Sequence, residues 1–275
     1  ELIRSDLKIK LKPEDESNFV DNRAILYQDW GKYDLAEKSW LFVNTTSLAS
    51  IQRNFAFMSD FEKAKFWERN KKNFEYYTTF AVSHSSRSPV ILGDLYNNQL
   101  ATKAILLSAS NKIRKRIYAS RDSTLISHYH QWIERREALV KELNKSGTGK
   151  SLVIDSLSKV VNASEKELSI SADERRENER PATWRDVQRT LTKDEAAVEI
   201  IRYRYFRNLL TDSVVYVALV LTTETKTGPR LVILPNGKFL EKQAYRFYRN
   251  SIIAQQPDSI SYHHFWERLT PAIKG

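Results

Sequence analysis

The chain has 275 residues, 41% apolar and 28% charged, with 13 Tyr, 12 Phe and 6 Trp, which is a globular composition long enough for more than one folding unit. A formal net charge of +10 raises the question of an anionic partner, while the absence of cysteine excludes disulfides, thiolate metal sites and a thiol nucleophile within these residues. The basic residues are dispersed (Arg114, Lys115 and Arg116; Arg135 and Arg136; Arg202, Arg204 and Arg207) and mostly sit near Glu or Asp, as on a solvated surface. No apolar run approaches the roughly 20 residues that cross a bilayer. The opening ELIRSDLKIK has neither the apolar stretch of a signal peptide nor an initiator Met, which is expected of a piece of a longer chain. A chain without cysteine fits a reducing compartment, so the expected location is cytoplasmic.

Residues 14–170 read as helices, with glycine only at Gly31, Gly93, Gly147 and Gly149. NRAILYQDWGKYDLAEKSWLFV, 22–43, reads as two helices with Gly31 at the turn. FEKAKFWERNKKNFEYYTTFAV sets Phe61, Ala64, Lys65, Trp67, Phe74, Tyr77, Thr78 and Ala81 near a 3.6-residue spacing, and Ser59 with Glu62 forms a capping box at its start. A second long amphipathic helix carries Leu95, Leu100, Ala104, Leu107, Ile113 and Ile117. A third carries Leu125, Tyr129, Trp132, Ile133 and Leu139. A fourth, 152–168, carries Leu157, Val160, Val161, Ala163 and Leu168. Four long helices with short links imply an antiparallel α-hairpin array.

SADERRENERPA, 171–182, is polar, ends near Pro181 and reads as a linker. TWRDVQRTL follows as a short helix, with Thr183 as N-cap and Asp186 completing an acidic capping box. The pattern then turns to strands. EAAVEIIRYRYF has β-branched and aromatic residues, with Arg202 and Arg204 alternating with Tyr203 and Tyr205 as on a half-exposed strand. DSVVYVALVLT is apolar at nearly every position, as in a strand covered on both faces. The expectation is a central strand at Val214–Leu221 with neighbours at Ala196–Tyr203 and Leu231–Leu234, the last closed by the turn signal Pro-Asn-Gly. KFLEKQAYRFYRNSII returns to helical spacing.

NKSGTGKSLVI, 144–154, has the Gly149-Lys150-Ser151 end of a phosphate loop, but Asn144 stands where the first glycine belongs. The stretch follows a helix instead of a strand, so it reads as a helix–helix connection with Gly147 as the stop. His128 and His130 are two apart, on different faces of a helix, and His84 has no ligand-spaced acid. His263 and His264 lie in the aromatic run SYHHFWE and read as packing residues. Glu195, Glu199 and Glu241 read as isolated surface acids, and no Gly-x-Ser-x-Gly elbow occurs. No catalytic set, metal site or cofactor site is complete on the residues alone.

Within 22–43, Ala24 and Tyr27, Gly31, then Tyr33, Ala36 and Trp40 follow the tetratricopeptide pattern, with Arg23 where that family usually has Leu. One such unit needs stacked neighbours, so the chain is expected to begin inside a longer solenoid. The stretches NFAFMSDFEKAKFW, YNNQLATKAILLSASNKIRKRIYASRDSTLISHYHQWIERREAL and TWRDVQRTLTKDEAAVEIIRYRYF through TDSVVYVALVLTTETKTGPRLVILPNGKFLE together resemble bacterial CHAT-domain proteins, in which tetratricopeptide repeats precede a caspase-like domain. The family's K-G-L-L-L stands here as Lys103-Ala104-Ile105-Leu106-Leu107. The resemblance implies an α plus α/β architecture: 1–46 as the end of a repeat array, 47–170 as a helical connector, 171–182 as linker, and 183–275 as the first strands and helices of a caspase-like α/β sheet domain. It also implies a cysteine peptidase using a His–Cys dyad, in which imidazole takes the thiol proton and the thiolate attacks a peptide carbonyl. The family's dyad lies beyond the segment matched by SYHHFWERLTPAIKG, so no catalytic residue carries over and this chain alone is expected to be inactive. The expected role is the regulatory and structural front portion of such a peptidase, with a protein or peptide partner sensed by the helical repeats and the remainder of the peptidase domain as a second partner. The alternatives are a non-catalytic interaction scaffold and, less favoured, a nucleic-acid-binding helical protein using the +10 charge.

Overall fold

The computed structural model describes residues 13–55, 58–145, 152–173, 182–207 and 209–274. The protein is mostly helical with one small antiparallel sheet of three strands. Helices α1 (Pro13–Asp29) and α2 (Tyr33–Phe55) meet at Gly31, whose φ of +69° is a left-handed conformation that glycine adopts without penalty. There the Lys32 N–H donates back to the Tyr27 carbonyl at 2.8 Å. The pattern residues Ala24, Ala36 and Trp40 are wholly buried, small residues letting the two helices approach while the indole fills the space beside them. Helix α2 continues well past the repeat pattern, to Phe55.

Helix α3 (Asp60–His84) opens on the expected capping box: the Ser59 N–H donates to Glu62 Oε2 at 2.9 Å and the Glu62 N–H donates to Ser59 Oγ at 3.3 Å. Helices α4 (Ile91–Ser120), α5 (Ser123–Lys145) and α6 (Leu152–Asp173) follow. Asp122 caps α5, accepting from the Thr124 and Leu125 N–H groups at 3.0 and 3.1 Å. Helix α6 runs to Asp173, so residues 171–173 of the expected linker are helical; residues 174–181 lie outside the described set.

The chain divides into two compact units, one of Glu1–Thr46, Lys72–Ala101 and Pro181–Gly275, the other of Ser47–Lys71 and Thr102–Arg180. The first unit contains α7 (Trp184–Thr190) and strands β1 (Ala196–Arg207), β2 (Leu209–Thr222) and β3 (Arg230–Leu234), in the order β1-β2-β3 with both pairings antiparallel. β2 is the central strand, and Val217 pairs with Ile201 on one side and Ile233 on the other. Val217, Leu219 and Leu221 face a core of Trp40, Tyr77, Phe80, Leu95 and Trp184. Ala218 and Val220 face Leu269 and Ala272 instead. Both faces of β2 are thus covered, which is what the unbroken apolar run requires although its pairing is antiparallel.

Strand β1 departs from simple alternation. Its register slips between Arg204 and Phe206, so Tyr203 and Phe206 point into the core and Tyr205 points out with Arg202. At this bulge the Arg204 N–H donates to Glu75 Oε1 at 3.3 Å and the Phe206 N–H donates to Thr79 Oγ at 3.2 Å, so α3 takes the backbone donors that a further strand would otherwise take. The Arg204 guanidinium also binds Glu75, with Nη2 to Oε2 at 2.9 Å. Helix α7 carries the full Thr183–Asp186 capping box, and its Trp184 N–H donates to Asn97 Oδ1 at 2.7 Å.

After β3 the chain turns through Asn236 (φ +59°) into a continuous helical run: α8 (Gly237–Phe239), a π turn (Leu240–Ala244) and α9 (Tyr245–Ile253). Gly237 sits against β2 so closely that a Cβ there would lie 2.3 Å from the Val214 carbonyl oxygen. Helix α10 (Ile260–Phe265), a 3-10 turn (Glu267–Leu269) and α11 (Thr270–Ile273) complete the unit.

The second unit is built around Ile117, Leu125, Tyr129, Trp132, Val161 and Leu168, which close α5 against α6. On α6 the buried stripe is Val161, Glu165, Leu168 and Ser169, while Val160 and Ala163, expected inside, are exposed. The stripe expected on α3 is likewise displaced in its first half, where Phe61 is exposed and Lys63 buried. It holds in the second half, at Phe74, Tyr77, Thr78 and Ala81.

Candidate functional site

The sequence names no catalytic residue, and the chemistry-bearing side chains are spread out. Among the described residues, no group of three or more His, Asp or Glu is placed to hold a metal ion, and no helix is long and apolar enough to cross a membrane. Gly147, Gly149, Lys150 and Ser151 lie outside the described residues, between the ends of α5 and α6. The histidines form no metal-binding cluster among the described residues, although the His263 and His264 rings meet edge-on at 5.6 Å. His84 bonds through Nδ1 to the Phe80 carbonyl at 2.9 Å and stacks on the Phe80 ring. His128 borders a shallow depression with Arg135, Ser164 and Glu167, and His130 meets Tyr118 edge-on. His264 packs edge-on against Phe239 at 5.0 Å, as expected, whereas His263 is exposed and pairs with Glu267 one turn on.

None of the three acids read as isolated surface acids is one. Glu241, on the π turn, accepts from Arg202 Nε and from the Tyr216 hydroxyl at 3.0 Å, and these bonds, Arg202 foremost, hold its carboxyl below the ordinary range. Glu199 is buried on β1 near Tyr96, whose phenol is pushed up to about 12 by burial and, secondarily, by that carboxylate. Glu195 caps the turn before β1, accepting from the Thr192 N–H at 2.8 Å.

Two further carboxyls stand out. Burial raises Asp21, on α1, to about 6 against the pull of Lys72. Burial, and then the neighbouring Asp60 carboxylate, raise Glu165, on α6, to about 7, with Lys63 opposing. Asp21 is a single raised acid and Glu165 is one of a carboxyl pair with Asp60; a raised carboxyl alone does not make a reaction centre.

Two stretches of exposed apolar surface bear on binding. On the α1–α2 hairpin, Leu26, Trp30, Leu35, Leu41 and Phe42 face outward. Between α9 and α10 a groove of about 540 Å³ is lined mainly by aromatic and aliphatic side chains. A helical signal for the second was present in the sequence, because Tyr245, Tyr248 and Ile252 recur at three- and four-residue steps.

Compared with family models, with curated proteins and with solved structures, the chain matches none.

Proposed function

We propose that this chain is the regulatory and structural front portion of a caspase-like cysteine endopeptidase of the type that joins tetratricopeptide repeats to a CHAT domain. In this reading α1 and α2 are the last unit of a repeat array, α3–α6 are the connector, α7 onward opens the peptidase domain, and the proposed location is the cytoplasm. The observation that carries the reading is the α1–α2 hairpin. Ala24, Ala36 and Trp40 fill the pattern positions and are fully buried, while Leu26, Leu35, Leu41 and Phe42 remain outside as an apolar face of the kind that stacks on a neighbouring repeat. Support comes also from the resemblance over Trp184–Leu240, the stretch that forms α7, the sheet and the start of the helical run. The chain's own contribution is to hold and gate: the repeats take a protein or peptide partner, and the β1–β3 sheet provides the seat for the peptidase half.

The test is the open reading frame that encodes these residues. The reading expects it to continue for about one domain length, some 150 codons, and to supply a His and a Cys there. A frame that continues without a cysteine refutes the peptidase and leaves the interaction scaffold; a frame that closes directly after this segment refutes both halves of the assignment.

A further inference from the structure

We propose that the groove between α9 and α10 is a docking site for an acidic amphipathic helix of a partner protein. The inference is independent of the peptidase reading.

The groove is an exposed concentration of anchoring side chains. Tyr248 and Ile252 form one wall, Tyr262 and Trp266 the other, and Ile252 and Tyr262 are each more than half exposed, at 57% and 51%. Large aromatic and aliphatic groups left in water at such density mark an interaction surface, and Tyr and Trp are the residue types that dominate binding energy. Its length suits a helix: the nine residues of α9 span about 14 Å, enough to lie alongside two to three turns of a partner.

Charge identifies the partner's flanks. Lys238, Lys242, Arg246 and Arg249 recur at steps of four, four and three along the helical run, and the two arginines directly follow Tyr245 and Tyr248. The cationic stripe therefore runs beside the aromatic one. Arg246 and Arg249 are exposed and, among the described residues, take part in no ion pair or side-chain hydrogen bond. Three acids lie nearby. Asp258 accepts from the Ser261 N–H at 2.8 Å, and hydrogen bonds to Ser261 hold its carboxyl below the usual range. Glu267 is paired with His263, and Glu241 with Arg202. Asp258, in the lining, and Glu267 keep their negative charge, but the four cations outnumber them and Glu241 is balanced by Arg202, so the net charge beside the groove is positive. The complementary segment presents apolar anchors one turn apart and Glu or Asp on the edge that faces the cationic stripe, the helix-in-groove mode of recognition.

A single-stranded nucleic acid would use the same cations but needs open ring faces in succession for its bases. Here Tyr248 and Phe265 pack edge-to-face at 6.4 Å, and aliphatic Ile252 lies between the aromatic positions. That lining accepts inserted side chains.

The experiment uses the full chain and fluorescein-labelled helical peptides of about four turns, each with Leu at i, i+3 and i+7. One carries Glu along the flanks and its twin carries Lys, and an oligothymidylate is the third probe. Fluorescence anisotropy is expected to show saturable binding of the Glu peptide, about tenfold or more tighter than the Lys twin and weakening as salt shortens the Debye length. The exposed double variant Arg246→Glu with Arg249→Glu should reverse the preference. Ile252→Ser should weaken the Glu peptide about tenfold without altering the circular-dichroism spectrum, and Trp266→Ala should act in the same direction. Equal binding of the two peptides, tighter uptake of the oligothymidylate, or a concentration-dependent dimer that is lost in Ile252→Ser would each overturn the proposal.

Discussion

Replacing Val217 with Asp tests the centre of the first unit. Val217 is wholly buried on β2, between Ile201 and Ile233 on the neighbouring strands and against the cluster that includes Trp40, Tyr77, Phe80 and Trp184. Losing the buried isopropyl group forfeits about 1.5–3 kcal/mol, and a carboxyl in apolar packing costs several kcal/mol more whether it ionises or takes up a proton. The total is on the order of the 5–15 kcal/mol that holds a whole domain. The damage reaches beyond the sheet, because Tyr77, Phe80 and Leu95 belong to the same cluster. From sequence alone the helices of 59–143 would be expected to survive together; the core instead ties residues 77–96 to the strand. The α5–α6 hairpin, whose cluster shares no residue with this one, should keep its helical signal. Far-UV circular dichroism with tryptophan fluorescence across a thermal melt should therefore show a variant that has lost the cooperative transition of the first unit while a substantial helical signal remains. The control is Ile233→Asp on the same rung: Ile233 is 50% exposed, and the cost there should be about 1 kcal/mol. A Val217→Asp protein that melts like the parent, or one no worse than Ile233→Asp, would refute the placement of β2 at the centre.

Gly237→Ala should cost about 1–3 kcal/mol in chemical denaturation, since its Cβ would meet a backbone oxygen that cannot rotate away; an unchanged midpoint would show that the turn after β3 lies further from β2. Glu165 is held protonated to about pH 7 in the fold but ionises near the ordinary glutamate value of 4.5 when free, so the native state binds the extra proton between those values. Stability of the second unit should therefore fall as pH rises from about 5 to about 7 and then level off. Glu165→Gln should flatten that slope and melt higher at pH 8, whereas a slope equal to the parent's would assign the effect elsewhere. Millimolar ATP or GTP should leave the melting temperature unchanged, because a ligand held by the native state alone must raise it; a dose-dependent rise abolished by Lys150→Ala would restore a phosphate loop.

What the sequence revealed was local. The Ser59–Glu62 and Thr183–Asp186 caps close within three residues, and both form as read. The apolar run of β2 announces burial on two faces at every position, and the strand sits at the centre of the sheet. What escaped was non-local. Tyr205 turns outward at a point where the register shifts by two residues on β2 and where Glu75 and Thr79, some 130 residues earlier in the chain, take two β1 donors. Glu241 seemed alone because its partners, Arg202 and Tyr216, lie on strands. Helical spacing located the stripes but not always their facing: on α6 a shift of one position buries Val161 and Glu165 and exposes Val160, since the α5 residues opposite decide which side is covered. For the site, the residues offered no catalytic set to place, and the α9 aromatic stripe became significant only once α10 supplied a second wall.

The most direct measurement of the central claim is endopeptidase activity in the product of the whole reading frame, assayed beside this chain on unfolded protein and peptide pools in the presence of candidate partners of the repeat surface. The account predicts cleavage by the longer product that is abolished by thiol alkylation and by loss of a single Cys, and no turnover by these 275 residues alone, which contain no Cys. Cleavage that survives alkylation, or turnover by this chain that persists through repurification, would contradict it.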